Sequence, residues 1–247
     1  MHQASVGFHC PECTRTSGQK VLRPSQLRTR PVVTQALIAL NVAVFVAGMG
    51  GGLDTKDRVI LDGGLVGEQL DPFTGTLVGV AHGEWWRIFS AGFLHASVIH
   101  VGFNMLVLYQ LGQLLEPALG RVRFGLVYVV AMVCGGFGVL LLDPTRFTVG
   151  ASGAVFGLMG AAVAVFRSRG INPFDTGLGG AIAFNLLITF TIPGISIGGH
   201  VGGLVGGFLA GWLLADVGPR YLRDPNVTLA AVAALGLAAL GAGIVVA

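Results

Sequence analysis

"HVGGLVGGFLAGW", residues His200–Trp212, carries no charge along thirteen positions and opens on one ionisable side chain. Gly203, Gly207 and Gly211 stand at i+3, i+7 and i+11 from His200, so a helix would line them up on one face. Small residues at this spacing let two helix backbones approach closely, the main packing device where lipid removes any hydrophobic drive between helices. The stretch lies within 40 uncharged residues enclosed by Asp175 and Asp216. A membrane crossing needs roughly 20. Pro193-Gly194 interrupts the run near its middle, which predicts two spans, a fifth and a sixth.

The rest of the chain has the same character. Of 247 residues, 53% are hydrophobic, 11% are charged and 40 are glycine, where a soluble domain carries about 25% charge. Arg30 to Asp54 encloses a first span, Arg87 to Glu116 a second, Arg123 to Asp143 a third and Arg146 to Arg167 a fourth; the residues after Asp224 make a seventh. The expectation is an all-α polytopic membrane protein with seven transmembrane helices. The first apolar run is long enough to stay as a span, and no cleavable signal peptide is visible ahead of it.

The net charge of +3 reflects topology and not a nucleic-acid partner. Eleven of the lysines and arginines fall in the tail before the first span and in alternate loops, against four on the other side. Basic residues in short loops mark the cytoplasmic face, so the N-terminus is expected in the cytoplasm and the C-terminus outside. The loop from Leu53 to about Trp86 then lies outside, where Trp85 and Trp86 suit the headgroup layer. Cys10 and Cys13 form "CPEC" in the cytoplasmic tail, where a structural disulfide is not expected. Cys134, in the third span, is read as a small apolar residue.

No carboxylate lies inside the second, fourth, fifth or sixth spans, which excludes an aspartyl protease mechanism. H-E-x-x-H is absent, and a transporter's charged relay is missing. What remains are His95 and His100 in the second run, His200 in the sixth, and Ser152 in "VGASGAVFG", Val149–Gly157. Each has an ordinary alternative, as a helix-bridging imidazole or as serine bonded to its own backbone. Counted at helical rise from Arg146 and from Gly194, Ser152 and His200 both lie about 9 Å below the outer surface, and His100 lies in the outer half of its run. Gly153, Gly157 and Gly160 give the fourth span a small-residue array facing that of the sixth. Close approach would bring Ser152 to His200, a nucleophile and its base. His100 and Asn104, four residues apart on one helix face, would stabilise an oxyanion together with the Ser152 N–H. The alternative for this pair is a helix–helix hydrogen bond.

These residues resemble the rhomboid family of intramembrane serine proteases. "GASG" at Gly150–Gly153 is similar to the family's nucleophile motif, "GHVGGLVGG" at Gly199–Gly207 to its histidine helix, and "HVGFN" to its H-x-x-x-N element. Trp86-Arg87 and Glu116 match a loop pair and a glutamate of the family. The resemblance covers about residues 31–220, in order. It implies a six-helix core with an added seventh span at residues 221–247, Ser152 as nucleophile, His200 as general base, and His100 and Asn104 at the oxyanion hole. The implied function is endoproteolysis of transmembrane protein substrates in the lipid bilayer, with the active site opening outward and no metal in catalysis. The alternative is a non-catalytic rhomboid-like binding factor, a type that usually lacks the serine or the histidine. The tail, residues 1–30, departs from the family pattern. It is either a partial zinc module using Cys10 and Cys13 with His2 and His9, with Met1 an internal start, or a disordered tail. Substrates are expected to carry small residues near the outer end of one span and helix breakers just inside it. The fifth span, weakened by Pro193 and Gly194, is the expected lateral gate.

Overall fold

The computed structural model describes residues 2–3, 8–9, 30–49 and 53–247. Residues Met1–Arg30 and Pro31–Ala247 form two separate compact units. In the first, β1 (His2–Gln3) pairs antiparallel with β2 (Phe8–His9), His2 opposite His9. Cys10 and Cys13 lie outside the described residues.

The second unit is helical: α1 (Val32–Met49), α2 (Leu53–Gly63), the single turn α3 (Arg87–Ser90), α4 (Val98–Leu119), α5 (Arg121–Leu142), α6 (Ser152–Ser168), α7 (Leu178–Thr191), α8 (Ile197–Trp212) and α9 (Pro225–Val246). Helices α1, α4, α5, α8 with its continuation, and α9 are long and apolar enough to cross a membrane. With no water to satisfy backbone groups in hydrocarbon, such runs must be helical. Helices α6 and α7, with 17 and 14 residues, are shorter. At 1.5 Å per residue α7 is about 21 Å long, below the roughly 30 Å of a hydrocarbon core.

Three expectations change. The fourth uncharged run does not begin as helix at Arg146: residues 146–151 are non-helical and Ser152 is the first residue of α6. Depth counted at helical rise from Arg146 therefore does not apply. The second run starts with α3 and a 3₁₀ turn, Ala91–Phe93, before α4 begins at Val98. The sixth span continues past Asp216 as a π-helix, Leu213–Leu222. The long loop is ordered: it holds α2, a hairpin of β3 (Gln69–Leu70) and β4 (Leu77–Val78), and the 3₁₀ turn Val80–His82.

Helix α8 sits between α5 and α6, and paired glycines explain how. A Cβ on Gly203, Gly207 or Gly211 would run into Gly153, Gly157 or Ala161 of α6. One on Gly198, Gly202 or Gly206 would run into Gly138 or Cys134 of α5. The Gly202-Gly203 and Gly206-Gly207 steps thus each give one glycine to each neighbour. The sequence reading identified only the row facing α6.

Two charged residues are spent on the scaffold. Buried Glu116 accepts the Val33 and Thr34 N–H groups at 2.9 and 2.8 Å and the Thr34 hydroxyl at 2.7 Å, satisfying the open donors at the start of α1. Buried Arg87 donates to the carbonyls of Leu61 and Gly64 and pairs with Glu84 at 2.6 Å, tying α2 to α3.

Candidate active site

Ser152 is delivered by a turn that only glycine permits. Gly150 has φ 130°, a conformation closed to other residues without strain. Its N–H donates to the Ala91 carbonyl at 2.9 Å, and the Ala151 N–H meets His95 Nε2 at 3.4 Å. Leu65 and Thr148 exchange backbone hydrogen bonds just upstream. The first intrahelical bond of α6 runs from Val155 N–H to the Ala151 carbonyl. The N–H groups of Ser152, Gly153 and Ala154 thus have no partner within the helix and stand at the positive end of its dipole.

His200 is the fourth residue of α8, whose start is capped by Ser196 accepting from the Gly199 N–H at 3.0 Å. The imidazole is buried, at 8% exposure. Its ring stacks on Phe156 with centroids 4.1 Å apart and planes 16° from parallel. Phe156 lies one turn below Ser152 on the same face of α6. His200 Nδ1 is 2.6 Å from the Thr189 hydroxyl, which is the hydrogen bond of this ring among the described residues. Ser152 and His200 thus open the first turns of two helices that touch backbone to backbone, with Phe156 beneath the imidazole.

His100 and Ser152 both lie beside Gly150. His100 Cε1 and Nε2 lie 2.7 Å, and Ser152 Oγ 3.7 Å, from the point where a Gly150 Cβ would stand. Any side chain at 150 would close that gap. His95 backs His100 edge-to-face at 5.0 Å. Buried Asn104 donates from Nδ2 to the His100 carbonyl at 3.1 Å. That bond uses one of its two N–H groups and leaves the second to donate. A cavity of about 40 Å³ lies beside Ser152, lined among others by Met132, Gly135, Gly150, Gly153, Ser196 and Gly199. It has room for a few waters.

Sequence reasoning missed the parts played by His95, Phe156 and Thr189. Phe156 had a signal, its i+4 spacing from Ser152. Thr189 had none, because its partner lies on the next helix.

Fold and site define a class: a polytopic helical membrane protein that holds a serine and a histidine at adjoining helix starts. The Rhomboid domain model matches residues 82–217, more than half of the chain. YdcA of Bacillus subtilis is 37% identical over 135 residues, covering 53% of this chain and 68% of that protein. Rhomboid protease GluP of the same organism is 32% identical over 175 residues, 70% of this chain but 32% of GluP, which extends far beyond the shared region. RHOMBOID-like protein 1 of Arabidopsis thaliana is 46% identical over 78 residues, 32% of this chain and 20% of that protein. The chain belongs to the rhomboid family.

Proposed function

We propose that this protein is a serine endopeptidase that cuts other membrane proteins in or near a transmembrane segment through a Ser152–His200 dyad. The observation that supports it most is the glycine contact of α6 with α8, which sets both residues at touching helix starts. Ser152 Oγ attacks the scissile carbonyl carbon as His200 Nε2 takes its proton. The oxyanion receives hydrogen bonds from the Ser152 N–H, His100 and the remaining N–H of Asn104. The imidazolium returns its proton to the leaving amine as the C–N bond breaks. Water, activated by the same imidazole, then releases the acyl group from Ser152. The site faces outward, with the N-terminus cytoplasmic, in keeping with the basic residues of the alternate loops. The non-catalytic alternative usually lacks the serine or the histidine, and both are present here.

Ser152→Ala is expected to abolish both cleavage of a model transmembrane substrate and labelling by a fluorophosphonate probe, with helix content by circular dichroism unchanged. Labelling that persists in this variant would overturn the nucleophile assignment. The tail supports a separate proposal, zinc held by Cys10 and Cys13 with His2 and His9. Metal analysis should find about one zinc per chain, lost in a Cys10→Ser, Cys13→Ser variant that still cleaves. Metal-free wild-type protein would leave the tail without this role.

A further inference from the structure

We propose that Thr189, on the gate helix α7, is a positioning residue that fixes the tautomer of His200 and makes it a competent base only while α7 is seated. The proposal rests on the dyad reading above. It begins with a single proton. The Thr189 hydroxyl carries one hydrogen and lies 2.8 Å from the carbonyl of Asn185, one turn back on its own helix, the usual donor path for threonine in a helix. With that hydrogen committed, Oγ1 faces His200 Nδ1 at 2.6 Å as an acceptor. Nδ1 must then carry the imidazole hydrogen, and Nε2 keeps its lone pair. A base that is to take the proton of Ser152 through Nε2 needs this tautomer. The reverse arrangement, a threonine donating to Nδ1, would place the hydrogen on Nε2 and disarm it.

The second observation is where this hydroxyl sits. Helix α7 buries Leu178 and Gly179 in its first turn, and beyond them only Thr189. Around Thr189, Phe184, Leu187, Phe190 and Ile192 are all at least half exposed. Immediately after α7 come Pro193 and Gly194, the latter at φ 92°. The buried polar tie at the outer end of α7 is therefore the Thr189–His200 hydrogen bond, beside half-buried Leu186 and Ile188. If α7 leans outward to admit a substrate, it takes the acceptor away from Nδ1, and the base is restored when α7 returns. A helix that only wedges the gate open would meet an unarmed histidine.

The test uses the full chain, ¹⁵N-labelled at histidine, in bilayers near neutral pH, with His200 resonances identified by their loss in His200→Ala and in His200→Gln. Wild type and Thr189→Ser are expected to show protonated Nδ1 and equal kcat. Thr189→Val is expected to gain Nε2-protonated signal. It should lose kcat by on the order of 10-fold, as when a metal-bound imidazole loses its orienting partner, with KM little changed and fluorophosphonate labelling slowed in parallel. A Thr189→Val chain with the wild-type tautomer and kcat overturns the proposal, as does a Thr189→Ser chain as impaired as the valine variant. A folded wild-type chain that holds the Nδ1–H tautomer but takes no probe and cuts no substrate overturns the protease reading instead, and with it the catalytic meaning of Thr189.

Discussion

Helices α6 and α7 follow one another in the chain, are both shorter than the spans that flank them in sequence once α8 is taken with its continuation, and are built on opposite plans. Eleven of the seventeen residues of α6 are buried, against three of fourteen in α7. α6 meets α8 through facing glycines whose backbones leave no room for a Cβ. α7 presents phenylalanine and leucine outward and touches the site through one hydroxyl. On the proposed dyad, tight glycine contact suits the two helices that would keep nucleophile and base in register, since an error of about 1 Å costs catalysis heavily. On the same proposal, sparse burial suits α7 as the element that would move, because local opening is cheapest where few apolar contacts are lost. One short membrane domain thus sets a tightly packed helix contact beside a sparsely buried helix.

The contrast is most directly broken from its rigid side. Gly207→Leu would force a side chain into the Gly157 backbone, and overpacking of this kind costs typically 1–3 kcal/mol, occasionally more. The expected result is a lowered thermal midpoint in detergent together with loss of fluorophosphonate labelling at Ser152. A variant with wild-type stability and labelling would mean that the α6–α8 contact does not hold the dyad.

A smaller effect is expected at the oxyanion. Removal of one donor costs about 10²–10³ in turnover, so Asn104→Ala should retain a residual rate in a limiting-substrate assay. Wild-type turnover would reduce Asn104 to its bond with the His100 carbonyl.

On the loose side the substrate becomes the variable. A model span with glycine and proline just inside its outer end should be cut faster than the same span with leucine there, because a helix must unwind before its peptide bonds reach Ser152 and breakers lower that cost. Equal rates would show that unwinding does not limit the reaction. The smallest effect should come from α7 itself: Phe184→Ala, on its exposed face, is expected to change unfolding free energy by less than about 0.5 kcal/mol. A larger loss would mean that the outward face of α7 is packed more firmly than its exposure indicates.

The sequence by itself determined the membrane class, the division of the 40-residue run at Pro193-Gly194, the glycine face of α8 toward α6, and the candidates Ser152, His200, His100 and Asn104. These were legible because hydrocarbon forces backbone into helices, because glycine at three- and four-residue intervals has few other uses in a span, and because polar side chains in an apolar run are conspicuous. Only the tertiary structure decided where helix begins within an uncharged run. Residues 147–151 are as uncharged as the first fifteen of α6, yet backbone N–H groups of Thr148 and Gly150 pair with Leu65 and Ala91 and not with one another. Absence of charge reports shelter from water, in lipid or in protein, and says nothing about which backbone group answers which. The same holds for the partners of His200. Phe156 and Thr189 come from two other helices, and their meeting depends on how α6, α7 and α8 are rotated about their axes. Side-chain volumes across those contacts set that rotation, and one strand of sequence carries each of them separately.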